Sequence, residues 1–277
     1  MMVCSHANKP RVIFFAKIAK KFHSEWEYYE QDIRLLNASG FYVKVCSSYT
    51  SFLLNIWKAN FVYAWWWHRS FPVVLISRIL RKRVIVTGAI HAFDLSGAPH
   101  YGSKSFFYRI SVLLALRLAN LNLCISRHQQ QSLEMISGST KCKILYPSVN
   151  KRFESGAYVP KIVNRITSIC WLSKDQCERK GIFRAIRAIA AIKKSAPEVL
   201  NETKFTIAGK MGDGVDRLKE LISEEQLENF IEIRLNLTEK EKYSLLADTD
   251  LLLAPSAMEG FGNATLEAMS VGVPCLV

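Results

Sequence analysis

The sequence predicts an α/β protein with two Rossmann-like, doubly wound parallel-sheet domains. Short apolar runs of strand length alternate with longer segments of helical period, and the alternation stops after Pro147 and restarts near residue 165. Continuous apolar strands separated by helices are typical of a parallel sheet covered on both faces. The 277 residues suffice for two modest domains, and a composition of 49% hydrophobic and 22% charged residues excludes a disordered chain.

The first predicted domain covers residues 1–150. Its apolar runs predict strands at 11–16, 41–46, 61–67, 83–88, 122–126 and 142–147. Helical period predicts helices near 25–38, 71–80, 104–119 and 127–136. Gly40 suits the end of the first helix, so the order of elements repeats the strand-helix unit of a parallel sheet.

The second predicted domain covers residues 165–277 and follows a linker at 151–164, which contains Gly156 and Pro160 without a clear period. Strands are predicted at 166–171, 204–209, 230–235 and 251–255, and helices near 181–194, 215–223, 238–247 and 264–271. Thr238 and Glu241 have the spacing of a capping box. The last three residues have the character of a strand that is just beginning, so we expect this domain to be incomplete and the chain to be truncated at its carboxyl end.

The net charge of +13 lies entirely in the first domain. Residues 1–150 contain 19 Lys and Arg against 6 Asp and Glu, whereas residues 151–277 contain 18 of each. An acidic partner is therefore expected at the first domain. The seven cysteines form no C-x-x-C pair, and Arg109 and Arg117 interrupt the most apolar stretch. We expect a cytoplasmic protein with no structural zinc and no membrane-spanning helix.

The stretch Pro255–Pro274 points most directly to a function. Glu259 follows a predicted buried strand, and open α/β sheets bind ligands beyond the carboxyl ends of their strands. Gly260 and Gly262 allow the backbone to approach a ligand closely, and the helix that begins next directs N–H groups to the same place. Glu267 can accept hydroxyl protons of a sugar, although both acids would also complement a helix dipole.

This stretch closely resembles the retaining, nucleotide-sugar-dependent glycosyltransferases of family 4, also called glycosyl transferase group 1, which have the GT-B fold. Their marker is Pro-Ser, then Glu-Gly-Phe-Gly, a second Glu after seven intervening residues, and Gly-x-Pro. The resemblance implies that Glu267 holds the nucleotide ribose. It also implies that the donor sugar is held by Glu259, Gly260 and the backbone of Phe261, Gly262 and Asn263.

A second motif, Ser173–Gly181, follows the first strand of the second domain. The family carries a cation after this strand and a Lys-Gly pair a few residues later, and Lys174 and Lys180 stand at these positions. The resemblance implies that both lysines neutralise the donor diphosphate, which stabilises charge on the leaving group. The family's usual first cation is Arg, so Lys174 would bind as a point charge.

Other positions resemble the family less specifically. Gly209 ends a strand where the family's backbone passes near the donor, although a plain strand-to-helix turn fits equally well. His91 resembles a histidine beside the reacting sugar, with Asp94 close to the acceptor; a structural histidine in a loop is the alternative. His68, after three tryptophans, is a further candidate. By this resemblance, the expected catalytic residues are His91, Glu259 and Lys180.

One departure concerns the turn after the first strand, which is rich in glycine in the family and contains none here. Lys17, Lys20 and Lys21 occupy this segment instead. They suit an anionic acceptor, or they form a solvated basic face. The identity of the acceptor is therefore left open by the sequence.

The expected activity is transfer of a hexosyl group from a nucleoside diphosphate sugar to an acceptor hydroxyl, with retention, in synthesis of a cell-surface polysaccharide or glycolipid. No D-x-D metal motif is expected in a loop, so we expect neither a metal nor another cofactor. The acceptor would be a saccharide or a lipid-linked saccharide, with peripheral contact between the basic domain and an anionic membrane. The alternatives are a truncated protein that binds nucleotide sugars without turnover and a basic nucleic-acid-binding α/β protein. The sequence shows no recognised module for nucleic acid.

Overall fold

A computed structural model describes residues 9–17, 27–90, 100–138, 141–149, 163–257 and 259–277. The chain divides into two compact units, and the described residues up to Pro147 belong to the first and those from Ser148 to the second. Each unit contains its own parallel sheet and its own apolar core. The predicted linker at 151–164 lies almost entirely outside the described residues.

The first unit is built on a six-stranded sheet. Its strands are β1 (Arg11–Phe15), β2 (Tyr42–Cys46), β3 (Phe61–Trp65), β4 (Arg83–Thr87), β5 (Leu121–Cys124) and β6 (Cys142–Ile144). All neighbours are parallel, in the order β2-β1-β3-β4-β5-β6. The chain order therefore reverses between β1 and β3, and open α/β sheets bind ligands at such a switch point.

Helices cover both faces of this sheet. They are α1 (Glu27–Ala38), α2 (Tyr49–Asn55), α3 (Trp67–Ile79), α4 (Phe106–Leu118) and α5 (Arg127–Ser137). The apolar runs and helical periods of the sequence predicted all of these except α2, a seven-residue helix capped by Ser48. The predicted strand at 61–67 was two residues too long. Trp66 has a positive φ of 71°, so the extended chain ends at Trp65 and α3 begins at once.

The second unit is built on a five-stranded sheet. Its strands are β7 (Arg165–Ile169), β8 (Lys204–Gly209), β9 (Ile231–Leu235), β10 (Leu251–Leu253) and β11 (Cys275–Leu276). Its helices are α6 (Lys174–Arg179), α7 (Ile182–Ser195), α8 (Val215–Glu224), α9 (Glu239–Ala247) and α10 (Asn263–Ser270). The parallel order is β11-β10-β7-β8-β9, so the switch point lies between β7 and β10.

Local signals in the sequence correctly predicted most boundaries of the second unit. The capping box at Thr238 is formed in both directions: its hydroxyl accepts from Glu241 N, and the Glu241 carboxylate accepts from Thr238 N at 2.8 Å. The short helix α6, inside the Ser173–Gly181 motif, was not predicted. Within the described part of the chain, no helix is both long and apolar enough to cross a membrane.

Candidate functional site

The two sequence motifs of the second unit meet at its switch point. The Ser173–Gly181 motif follows β7 and Pro255–Gly262 follows β10, and these strands are neighbours in the sheet. Both segments therefore leave the same carboxyl edge, side by side. Ala257 N donates a hydrogen bond to Arg179 O at 2.9 Å, which joins the segments through their backbones.

Glu259 is the centre of a small charged network at this edge. Its carboxylate pairs with the Lys180 ammonium through Oε1 and lies 3.9 Å from Arg179 Nη1 through Oε2. Ser256 Oγ donates to Glu259 Oε1 at 2.7 Å. Burial raises the pKa of Glu259, but Lys180, the Ser256 hydroxyl and Arg179 outweigh this effect and hold its pKa below the ordinary value. Glu259 is therefore ionised at neutral pH.

Gly181 explains why the two segments can approach so closely. It precedes α7 with φ 70° and ψ 19°, a left-handed conformation that favours glycine. A Cβ atom at this position would lie 2.2 Å from the carbonyl oxygen of Pro255. The Lys-Gly pair thus combines a charged side chain with the only residue type that lets the helix start pack against the end of β10.

The second carboxylate, Glu267, lies on α10 and is almost buried, with 11% of its side chain exposed. Its Oε1 accepts from Lys242 Nζ, on α9, at 2.9 Å. Burial lowers the pKa of Lys242, but the carboxylates of Glu267 and Glu239 outweigh it and raise that pKa above its ordinary value. Lys242 is consequently charged, and it fixes the position of Glu267. Sequence reasoning missed Lys242, because nothing local marks which face of α9 meets α10.

The glycines after β10 shape the start of α10. Gly262 has φ 91° and stands at the amino terminus of the helix, which runs from Asn263. An added Cβ at Gly262 would come no closer than 3.5 Å to a neighbour, so its backbone conformation, not crowding, requires glycine. Gly260 and Phe261 are partly buried in the same turn. These residues form the turn that leads from Glu259 into α10, and their contact with a donor stays a prediction.

Close packing of two backbone segments explains why residue 209 is a glycine. A Cβ there would lie 1.6 Å from the carbonyl oxygen of Cys170, and one at Gly212 would lie 2.6 Å from Ser173 N. The turn after β8 therefore presses against the turn after β7. In the same contact Asp213 Oδ1 accepts from Lys174 N at 2.9 Å, at the start of α6. This packing accounts for Gly209 as a strand-to-helix turn and holds Lys174, whose side chain is exposed, near the same edge.

The opposite, amino edge of β7 and β10 is locked by Asp250. Its carboxylate accepts from Arg165 Nε at 3.3 Å and Nη2 at 3.0 Å, and also from the backbone N of Arg165 and Asn164. The expectation that no loop contains a D-x-D sequence was wrong, because Asp248 and Asp250 form one in the loop between α9 and β10. This loop lies at the amino edge of the sheet, on the far side from Glu259. In the described part of the chain, no group of three His, Cys, Asp or Glu side chains is arranged to hold a metal ion.

The remaining predicted residues belong to the first unit. His91 and Asp94 lie outside the described residues, and so do Lys20 and Lys21. His68 is described: it lies in the first turn of α3, with its ring centre 4.5 Å from that of Tyr108. In the second unit, Ser256 and Arg179 are contacts of Glu259 that the sequence did not assign. Ser256 belongs to the Pro-Ser pair of the motif, so the signal for it was present.

Residues 172–277 match the model of the family "Glycosyl transferases group 1". Among curated proteins, the putative colanic acid biosynthesis glycosyltransferase WcaL of Escherichia coli K12 is 34% identical over 103 residues, and that of Salmonella typhimurium is 35% identical. Each alignment covers 35% of this chain and 24% of the relative, so the matched region spans about a quarter of the curated proteins.

Solved structures extend the similarity of fold across both units. The chain is similar to Anabaena Alr3699/HepE, solved in complex with UDP and glucose, with a TM-score of 0.68 and 19% identity over 96% of this chain and 80% of that one. It is similar to sucrose-phosphate synthase from Thermosynechococcus elongatus (TM-score 0.70, 13% identity, the same coverage). A third is WaaG, a glycosyltransferase involved in lipopolysaccharide biosynthesis (0.59, 15%, covering 95% of this chain and 80% of WaaG). The two parallel-sheet units therefore have the fold of GT-B glycosyltransferases.

Proposed function

We propose that this chain is a group 1 glycosyltransferase, because residues 172–277 match the model of that family, and that it transfers a hexosyl group from a nucleoside diphosphate sugar to an acceptor hydroxyl. One observation carries the proposal. Lys180 and Glu259, 79 positions apart in the sequence, pair at the carboxyl edge of the second sheet. Lys174 at the start of α6 and Glu267 on α10 belong to the helices that follow the same two strands, β7 and β10.

The proposed donor site divides the nucleotide sugar among these groups. Glu267, oriented by Lys242, accepts the ribose hydroxyls, because a carboxylate is an acceptor for two O–H donors. Lys174 and Lys180 neutralise the diphosphate. Glu259 and the backbone of Phe261, Gly262 and Asn263 hold the hexose. UDP-glucose is the natural first donor to test, since the similar HepE structure contains UDP and glucose.

The proposed reaction retains the configuration at the anomeric carbon. The bond from this carbon to the diphosphate oxygen breaks, and the bond to the acceptor oxygen forms on the same face. The acceptor proton passes to the leaving diphosphate. In the proposed reaction, Lys180 stabilises negative charge on that leaving group. Its pairing with Glu259, which also lies 3.9 Å from Arg179, supports this role. This assignment requires no metal, because lysines supply the positive charge, and no other cofactor.

The proposed biological role is synthesis of a cell-surface polysaccharide or glycolipid. The WcaL proteins, which carry the name of colanic acid biosynthesis, support it through the matched third of the chain. The acceptor is then a saccharide, free or lipid-linked, and the basic first domain receives it. We assign the protein to the cytoplasm, where nucleotide sugars are the donors.

Contact with an anionic membrane is the proposed reason for the charge of the first domain. At the start of α4, Phe106 and Phe107 are 61% and 82% exposed, and Lys104 and Arg109 flank them. Aromatic side chains that insert at a membrane surface and basic residues that attract anionic lipids, at about 1 kcal/mol each, act together in such contacts. Cosedimentation with vesicles should require anionic phospholipid and should fall in Phe107→Ser. Equal sedimentation with neutral vesicles would contradict this part of the proposal.

The donor site is tested by binding of a panel of nucleotide sugars to the purified chain. Glu267→Ala and Lys180→Ala should each reduce the affinity for the donor that binds best at least tenfold, since each removes a charge-assisted hydrogen bond worth about 1.5–3 kcal/mol. Lys219→Ala, which removes an exposed lysine on α8, is the matched control and should bind as wild type. If neither site substitution weakens any complex, the site assignment is wrong.

Transfer is then measured with the donor that binds and a panel of saccharide and lipid-linked acceptors. Transfer with retained configuration, resistant to a chelator, supports the full proposal. If the chain binds the donor but neither transfers the sugar nor hydrolyses the donor, the result would support a nucleotide-sugar-binding protein instead. Salt-dependent binding of DNA in the absence of any donor binding would favour a nucleic-acid partner.

A further inference from the structure

A cluster of basic and aromatic side chains lies at the carboxyl edge of the first sheet. Lys17 follows β1, and His68 and Arg69 stand in the first turn of α3, which follows β3. Since β1 and β3 are neighbours on either side of the switch point, this edge is where an open α/β sheet binds a ligand. The Arg69 cluster, as we call it, consists of Lys17, Tyr49, His68, Arg69, Lys104 and Tyr108.

Direct contacts fix the basic side of this cluster. Arg69 Nη1 donates to the carbonyl oxygen of Lys17 at 3.2 Å, and Tyr49 OH donates to that of Arg69 at 2.8 Å. The Lys17 ammonium lies 4.4 Å from the centre of the Tyr49 ring, a cation–π distance. Phe15, from β1, stacks on the same ring and is fully buried. Two cations are thereby held against a rigid aromatic framework.

His68 extends the cluster towards Lys104. Its imidazole packs on Tyr108, and burial lowers its pKa to about 4, with further lowering by the charges of Arg69 and Lys104. The ring is therefore neutral at pH 7 and can donate one N–H bond.

These cations differ from Lys180 and Lys242 of the second unit in their partners. Lys180 and Lys242 are paired with Glu259 and Glu267. Within the described ranges of the chain, by contrast, Lys17, Arg69 and Lys104 form no ion pair with a carboxylate. Three like charges gathered at one edge repel one another, and an anionic ligand would relieve that repulsion.

We propose that the Arg69 cluster binds a phosphoryl group of the acceptor, so that the acceptor substrate is a phosphate- or diphosphate-bearing saccharide. The proposal rests on the proposed function, because it names the acceptor class of that reaction. A phosphoryl group fits better than a single carboxylate, since it carries up to two charges and presents several oxygens. The Arg69 guanidinium can bind two of these oxygens, while Lys17 and Lys104 add point charges.

The test uses inorganic pyrophosphate as the probe and amide hydrogen exchange as the local readout. Pyrophosphate should slow exchange in peptides that cover the first turn of α3 in wild type. Arg69→Gln should raise the pyrophosphate concentration that gives half of the maximal protection about tenfold, and Arg69→Lys should raise it less. Arg83→Gln is the matched control, because it removes the same charge from an exposed residue at the amino end of β4.

Equal protection in Arg69→Gln and Arg83→Gln, or no protection of α3 in wild type, overturns the proposal. Peptides from residues 174–181, read in the same experiment, report the donor site separately. Loss of donor binding with intact protection of α3 would therefore refute the proposed function alone. Failure at α3 with normal donor binding would refute the acceptor class alone.

Two further arms identify the source of the phosphoryl group. A soluble phosphorylated saccharide that protects α3 in an Arg69-dependent way supports a free acceptor. Protection only by vesicles that contain a polyprenyl diphosphate saccharide supports a lipid-linked one. Protection by vesicles of anionic phospholipid alone, without dependence on Arg69, counts against a built phosphoryl site.

Discussion

Replacement of Gly181 by alanine tests whether the donor site depends on the close approach of its two segments. Gly181 has φ 70° and ψ 19°, and an added Cβ would lie 2.2 Å from the Pro255 carbonyl oxygen. An L-residue in the left-handed region costs about 1–2 kcal/mol. Forcing an extra carbon against fixed backbone adds about 1–3 kcal/mol, because real Cβ atoms do not approach so closely. We expect a total loss of about 3 kcal/mol from the free energy of unfolding of the second unit.

Gly138 is the matched control for this experiment. It ends α5 with φ 63° and ψ 17°, nearly the same backbone conformation, and an added Cβ would meet no atom within 4 Å. Gly138→Ala should therefore show the conformational cost alone, about 1 kcal/mol, in the first unit. The difference between the variants isolates the contact with Pro255.

Hydrogen exchange as a function of urea gives the unfolding free energy of each unit separately, from peptides of β8 for the second and β3 for the first. Gly181→Ala should also weaken donor binding, because the shift that relieves the contact moves Lys180 away from Glu259. Equal destabilisation by the two substitutions would refute the packing argument. Normal donor affinity in a measurably strained Gly181→Ala would refute the link between packing and binding.

Three other predictions concern charged groups. Lys242→Met should weaken donor binding about tenfold because it releases Glu267, and Lys242→Arg should restore the affinity. Lys240→Met, which changes an exposed lysine, is the control. An unchanged dissociation constant in Lys242→Met, or an equal loss in Lys240→Met, would contradict the positioning role. Hydrogen bonds from Arg165 hold the pKa of Asp250 below its ordinary value of 3.8, so the ionised carboxylate stabilises the second unit above about pH 4, and this stabilisation is lost on further acidification. In Asp250→Asn, the free energy of unfolding measured with urea should fall less steeply below pH 4. The same fall as in wild type would contradict this prediction. Burial raises the pKa of Asp32 to about 6, so protonation of its carboxyl should increase the free energy of unfolding of the first unit as the pH falls from 7 to 5. The free energy of unfolding of Asp32→Asn should not show this increase. An increase that persists in the variant would show that another group is responsible.

The parts of this fold that follow local rules were predictable. Strand β8 was predicted at its observed bounds, 204–209, because an apolar β-rich run ends in glycine. The start of α9 followed from the capping box at Thr238, whose two hydrogen bonds join residues three positions apart. Glu259 and Glu267 were singled out from the sequence through the resemblance of their motif to a family, and their role in donor binding stays a prediction.

Other features depended on residues far apart in the chain. Trp65, Trp66 and Trp67 look alike in sequence, yet Trp67 leaves the strand and donates from Nε1 to Asn122 Oδ1 at 2.9 Å inside the core. That hydrogen bond joins positions 55 residues apart, so no local pattern reveals it. Helix α6 has only six residues, too few for a periodic signal.

Local interactions therefore made the alternation of strands and helices, the parallel class of both sheets and the identity of the motif residues readable from the sequence. The tertiary structure decided the strand order and, with it, which residues meet. It paired Lys180 with Glu259 and Lys242 with Glu267, and it gathered Lys17 with Arg69 beside β1 and β3. The physical reason is that burial, ion pairing and close backbone packing depend on distances in space, which the spacing of residues along a chain does not determine.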